Sequence, residues 1–146
     1  MVITDLENIT RQEKSIVTIG TFDGIHLGHR HLIHQLVRES KGRGSRSVVL
    51  TFDPHPQTVL HPERSAEIKV LATLDEKKDR LRELDLDTLI VARFDKELAQ
   101  KTGEQFVEEI LLKRIGLEKC IIGYDHVFGK NKTGNFQLLQ SMGRVH

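Results

Sequence analysis

The sequence predicts an α/β protein: one open parallel sheet with helices on both faces, a Rossmann-like arrangement. Three observations carry this expectation. Short apolar, β-branched runs alternate with stretches of helical periodicity, and that alternation implies strand–helix–strand crossovers. The 146 residues suffice for one domain with a single core. The residues 38% hydrophobic and 29% charged match an ordinary globular chain.

The elements follow in order. Ser15 to Gly20 (SIVTIG) reads as a buried strand ending in glycine. His26 to Glu39 reads as a helix, with Leu32, Ile33, Leu36 and Val37 at helical spacing and glycines 42 and 44 as the stop. Arg46 to Phe52 (RSVVLTF) is a second strand. The segment DPHPQTVLHPE is expected to be loop, because prolines 54, 56 and 62 oppose a regular helix. Thr73 and Glu76 fit a capping box opening a second helix, lined by Leu74, Leu81 and Leu84. Thr88 to Phe94 (TLIVARF) is a third strand, and DKELAQK after it reads as a plain solvated connection. Thr102 with Gln105 fits another capping box, opening a helix to about Ile115 with Phe106, Val107, Ile110 and Leu111 inward. Lys119 to Gly123 (KCIIG) is a fourth strand, and Phe136 to Met142 a short final helix.

Composition narrows the function classes. The net charge is +1, from 22 basic and 21 acidic residues, which gives no electrostatic reason to expect nucleic acid as a partner. No run approaches the roughly 18 apolar residues of a membrane span. The start, MVITDLENIT, carries acids and no apolar core of a secretory signal. Cys120 is the lone cysteine, so no internal disulfide forms and a reducing cytoplasm is the expected location. Its neighbours Ile121 and Ile122 favour a buried structural thiol over a reactive one.

The chemistry is expected where parallel strands end, because ligands of open α/β sheets bind at the carboxyl edge. That rule selects GTFDGIHLGH after the first strand, DPHP after the second and GYDHVFGKNKTGN after the fourth. In the first segment Gly20, Gly24 and Gly28 recur every four residues and allow close backbone approach. The helix that follows aims its N-terminal N–H groups at the same space, a ready anion site. His26 and His29 share one face at the helix start and could stabilise charge on phosphorus. Phosphate binding is the favoured reading. A tight structural turn and a metal-binding histidine pair stay open beside it, although no further ligand with metal spacing is evident. The spacing is neither the dinucleotide fingerprint nor a P-loop. His31 and His34 read as solvated helix residues. In TFDPHP, Asp53 either caps a proline-locked turn or faces ligand. In the last loop, Tyr124 and Phe128 beside Asp125, Lys130 and Lys132 suit a flat, charged ligand or form a polar hairpin.

GTFDGIHLGH resembles the Gly-x-Phe-Asp-Gly-x-His-x-Gly-His signature of the His-x-Gly-His nucleotidyltransferases. With LTFDPHP, LATLDEKKDRLRELDLD and GYDHVFGKNKTGN in order, the chain resembles the FMN adenylyltransferase (FAD synthetase) domain of prokaryotic bifunctional riboflavin kinase/FAD synthetase, from about Val17 to Gly143. The resemblance implies a nucleotidyltransferase fold and transfer of AMP from ATP to FMN, giving FAD and pyrophosphate, with magnesium riding on ATP rather than in a protein cage. It implies catalytic roles for His26 and His29. Gly20, Thr21, Phe22, Asp23, Gly24 and Gly28 would bind ATP, with Gly123 and Asp125 near adenosine. Asp53, His55 and Phe128 are the flavin-side candidates. Two departures stand out. His126 and Val127 replace the family's Phe-Arg, and the family's Ser-Ser-Thr-x-x-Arg motif and riboflavin kinase domain are not reached. Residues 1–146 are therefore expected to be an adenylyltransferase domain truncated at its C-terminus, the parent carrying the kinase in cis. The alternatives are a nucleotidyltransferase for another phosphate acceptor, or a fragment that binds nucleotide or flavin without turnover.

Overall fold

A computed structural model describes residues 1–22, 27–53, 56–63, 74–122 and 128–145. Its strands are β1 (Val2–Thr4), β2 (Ser15–Ile19), β3 (Arg46–Asp53), β4 (Thr88–Arg93) and β5 (Leu117–Cys120). They form one sheet in the order β1-β4-β3-β2-β5, and every pairing is parallel. The helices are α1 (Leu27–Arg43), α2 (Pro56–Leu60), α3 (Leu74–Glu83), α4 (Lys96–Ala99) and α5 (Gly103–Gln105). A wide-turn helix, Phe106–Ile115, continues from α5, and α6 (Phe136–Val145) follows β5.

Strand alternation splits the core into two layers. Val17, Ile19, Val48, Leu50, Ile90 and Ala92 face the wide-turn helix, meeting Phe106, Val107, Ile110, Leu111 and Ile115. Ile16, Val49 and Leu89 face the other way, meeting Ile33, Leu36 and Val37 of α1 and Leu81 of α3. The expected open parallel sheet with helices on both faces is therefore present. The topology also locates its switch point. From β2 the chain steps through β3 to β4 with α1 and α3 on one face. It then returns to place β5 on the far side of β2, with the connecting helix on the other face. Right-handed crossovers demand that change of face when direction reverses. The reversal between β2 and β5 puts the switch point at their carboxyl ends, where ligands of open α/β sheets bind.

Three expectations need correction, and one strand is additional to those expected. Val2–Thr4 forms an edge strand, with Val2 N–H donating to the Asp87 carbonyl at 2.8 Å. The proline-rich segment contains α2, because Pro56 takes the first helical position, where its missing N–H costs nothing. The DKELAQK connection folds into α4, whose first turn is capped by the Asp95 carboxylate accepting from Leu98 N–H at 2.9 Å. β5 starts two residues earlier than expected, at Leu117, and ends at Cys120.

The Thr102 capping box is present: Thr102 Oγ1 accepts from Gln105 N–H at 3.2 Å, and the Gln105 side chain accepts from Thr102 N–H at 3.0 Å. Past it the helix loosens, and Gly116 N–H closes onto the Leu111 carbonyl five residues back at 3.0 Å. Gly116 ends it in the left-handed region at φ 95°. A side chain there would also strike the Gln12 carbonyl, so glycine is required twice over. Cys120 is half-buried as a residue, but desolvation of its sulfur pushes the thiol up to about 12, which leaves almost no thiolate near neutrality. Alkylation of Cys120 at pH 8 is therefore expected to run at least about a hundredfold slower in the folded chain than in urea, read by mass spectrometry. Equal rates would contradict the buried, inert reading.

Candidate active site

Three strands whose following loops drew attention, β3, β2 and β5, are neighbours, with β2 in the centre. Ile19 of β2 pairs with Leu50 of β3, and Ile121 N–H donates to the Val17 carbonyl at 2.9 Å just past β5. The three loops therefore leave one edge side by side, at the switch point.

The first loop is held from below. Gly20 N–H donates to the Leu50 carbonyl at 3.0 Å. Thr21 presents its carbonyl to two donors at once, Thr51 Oγ1 at 3.1 Å and Lys77 Nζ at 3.0 Å. Phe22 then turns through the left-handed region at φ 48°, unusual for a bulky residue and costing roughly 1–3 kcal/mol. Burial of its ring among the α1–α3 layer offsets that strain. The turn wraps Phe22 back over Gly20, where an added Cβ would come within 2.9 Å of the ring. Glycine at position 20 thus serves close packing against Phe22.

Phe22 also meets the candidate His29. Its ring and that of His29 stand edge-to-face at 73°, centroids 5.1 Å apart. His29 lies in the first turn of α1, half-buried, and Gly28 precedes it in the same turn. That turn contains no acidic residue, whereas Lys41 and Arg43 occupy the last turn. Among the described residues, the positive end of the helix dipole therefore carries no carboxylate of its own first turn at the sheet edge. His31 and His34 are exposed, as expected of solvated helix residues.

The other candidates fall as follows. Asp53 is exposed at the end of β3, paired in register with Arg93. Phe128 is buried: its ring packs against Phe106 at 5.4 Å, and its backbone bridges Gly134. Its ring is thus part of the core, and the expectation that it offers an open flat surface is corrected. His26, Asp23, Gly24, His55, Gly123 and Asp125 lie outside the described residues.

Behind Phe128, glycines clasp the third loop to the start of α5. Lys130 N–H donates to the Lys101 carbonyl at 2.6 Å, and Gly103 N–H to Thr133 Oγ1 at 2.7 Å. A Cβ on Gly103 would fall under 3.0 Å from the Gly134 backbone, one on Gly129 under 3.0 Å from Gly103, and one on Gly134 under 3.0 Å from the Phe128 ring. Gly129 additionally sits at φ 77°. The loop that follows the switch-point strand is therefore anchored by close backbone packing.

Sequence reasoning missed Lys77 as a member of this site. A signal existed: position 77 falls in the inward stripe of Leu74, Leu81 and Leu84, where helical periodicity calls for an apolar residue. A separate cavity of about 730 Å3 lies between the N-terminal segment, β4 and the wide-turn helix. It is lined by both signs of charge, including an ion pair of Lys101 with Glu109, and by none of the candidate site residues. No helix among the described residues is long and apolar enough to cross a membrane.

Comparison with known proteins fits this geometry. Residues 8–146 match the family described as FAD synthetase. The bifunctional riboflavin kinase/FMN adenylyltransferase of Escherichia coli K12 is 33% identical over 143 residues, covering 97% of this chain and 45% of that protein. Its namesake in Listeria monocytogenes is 34% identical over 119 residues, covering 82% of this chain and 37% of that protein. The chain thus spans less than half the length of these relatives. A crystal structure described as a macrolide-efflux protein from Streptococcus pneumoniae superposes with a TM-score of 0.84 at 24% identity, over 97% of this chain and 55% of that one, and that likeness concerns the fold. The match over nearly the whole sequence, on a parallel sheet with the glycine–histidine segment at its switch point, establishes that the chain belongs to the FAD synthetase family.

Proposed function

We propose that this chain transfers AMP from ATP to FMN, giving FAD and pyrophosphate. The observation that carries the reading is the segment Gly20–Thr21–Phe22 at the sheet's switch point, ahead of an α1 whose first turn holds no acidic residue, in a chain of the FAD synthetase family. An oxygen of the FMN phosphate attacks the α-phosphorus of ATP. The bond to the β-bridging oxygen breaks, and pyrophosphate leaves. No group of the protein bonds to phosphorus, so the chain's task is positioning and charge stabilisation.

In this reading His26 and His29 donate hydrogen bonds to the phosphates as negative charge builds, assisted by the free N–H groups of α1. Gly20, Thr21, Phe22, Asp23, Gly24 and Gly28 line the triphosphate, and Gly123 and Asp125 the adenosine. Asp53 and His55 lie toward the flavin, with the buried Phe128 supporting the loop from behind. No cluster of three or more His, Cys, Asp or Glu able to hold a metal occurs among the described residues. In this reading magnesium accompanies ATP, neutralising phosphate charge. Residues 1–146 serve as the adenylyltransferase domain, and the whole protein carries riboflavin kinase activity in cis, as the names of the bifunctional relatives suggest. The lone, protonated Cys120 suits a cytoplasmic enzyme.

Incubation with FMN, ATP and magnesium, followed by chromatography, tests the reading. FAD should appear with matching pyrophosphate. Turnover of phosphopantetheine or glycerol phosphate in place of FMN would assign the chain to another acceptor, and nucleotide binding without product would make it a binding module.

A further inference from the structure

We propose that Lys77 is a cation of the nucleotide site, which holds the first loop by its carbonyl and supplies positive charge for the phosphates of the bound ligand. The inference rests on the nucleotide reading above. Lys77 is 8% exposed, on the inward stripe of α3. A buried ammonium is costly unless it is paired. Among the described residues, no carboxylate forms an ion pair with it, and its recorded bond is one neutral carbonyl, Thr21 at 3.0 Å. An ammonium has three donors. Among the described residues, one carbonyl therefore leaves donor capacity and a full charge uncompensated.

A lysine that only snorkels would bury its stem and carry its head to water. Here the head is directed inward, onto the loop that leads to His29. The surroundings are polar for a core face. Thr51 shares the Thr21 carbonyl, and Thr18, fully buried on the same side of the sheet, keeps a hydroxyl without a hydrogen-bond partner among the described residues. An apolar residue at position 77 would satisfy the packing of α3 better. A buried cation placed there instead, beside the glycine–histidine segment, points to an anionic ligand, and a phosphate chain is the anion this edge is built to accept. Fixing Thr21 is the second part of the role. It holds the carbonyl downward and so presents the following backbone to the ligand.

Titrating inorganic pyrophosphate, ATP and adenosine into the unchanged chain, Lys77→Met and Thr51→Val separates the possibilities. Lys77→Met should weaken pyrophosphate and ATP binding roughly tenfold or more, the size expected for losing a charged hydrogen-bond donor. Adenosine binding should stay within about twofold, and the unliganded melting temperature should hold or rise. Thr51→Val removes the other donor to Thr21 but keeps the charge, and should weaken ATP and pyrophosphate binding less than Lys77→Met does. Unchanged pyrophosphate affinity in Lys77→Met overturns the proposal, as does an equal loss for all three ligands. Should Lys77→Met not fold, ammonium NMR of the unchanged chain gives the answer: saturating pyrophosphate should move the Lys77 signal, and an unmoved signal overturns the assignment. An unchanged chain that binds neither ATP nor pyrophosphate overturns the nucleotide reading itself, a result distinct from failure of the lysine alone.

Discussion

Replacing His29 by alanine is expected to lower FAD formation at least about a hundredfold, the usual consequence of removing one preorganised donor at a developing oxyanion. His29 is placed for the task by three constraints. It occupies the first turn of α1, its ring meets the edge of Phe22 at 5.1 Å, and Phe22 is locked in a left-handed turn by burial. The loss should fall mainly on kcat, because an interaction made in the transition state contributes little to ground-state binding. His29 is only half-buried, so the melting temperature should move by a few degrees at most. Steady-state kinetics beside a thermal melt would check both. A rate within about threefold of the unchanged chain removes His29 from the mechanism. A collapsed melting temperature would make it a structural residue.

The second large effect is expected at the glycine clasp. Gly103→Ala places a methyl against the backbone of Thr133 and Gly134, which cannot withdraw as a flexible side chain could. Gly134→Ala drives a methyl into the Phe128 ring, itself wedged against Phe106. Overpacking of this kind costs about 1–3 kcal/mol and more where backbone must move. The damage should be local first, since the clasp ties residues 128–134 to the start of α5. Each variant is expected to lose several degrees of melting temperature and to weaken ATP binding beyond what the lost stability explains. Gly143→Ala is the control. It also sits in an ordered element, but a Cβ there meets nothing within 4 Å, and its melting temperature should hold or rise. Equal stability of Gly103→Ala and Gly143→Ala would contradict the clasp.

What could be read in advance follows from range. β2, β3 and β4 are built on contiguous apolar runs, and the Thr102–Gln105 box is completed within four residues, so local sequence suffices for these, whereas β5 begins two residues ahead of the apolar run, at Leu117. The carboxyl-edge rule places the three special loops at one edge from strand order alone, and the sheet puts the strands that lead to them side by side. The misses are of other kinds. Val2–Thr4 has only three residues and becomes a strand by pairing with Thr88–Ile90, far along the chain. Pro56 and Asp95 were read as loop residues, although both are favoured at helix starts. The loosening of the helix after Gln105 leaves the inward residues unchanged, so periodicity does not register it. The clasp joins Gly103 to Thr133 across thirty positions, and nothing local announces it. Phe128 looked like a ligand surface because it neighbours charged residues, but its ring turns into the core against Phe106. Lys77 was hidden by its company, an acidic and basic run that reads as a solvated helix face until the inward stripe is drawn through it.

The central claim is that AMP passes from ATP to the phosphate of FMN at this sheet edge. Incubating the chain with FMN and ATP labelled at the α-phosphorus tests it directly. The label should appear in FAD, one labelled phosphorus per FAD formed, while pyrophosphate carries none. Label recovered only in AMP, or FAD absent while another phosphate acceptor takes up the label, would contradict the account.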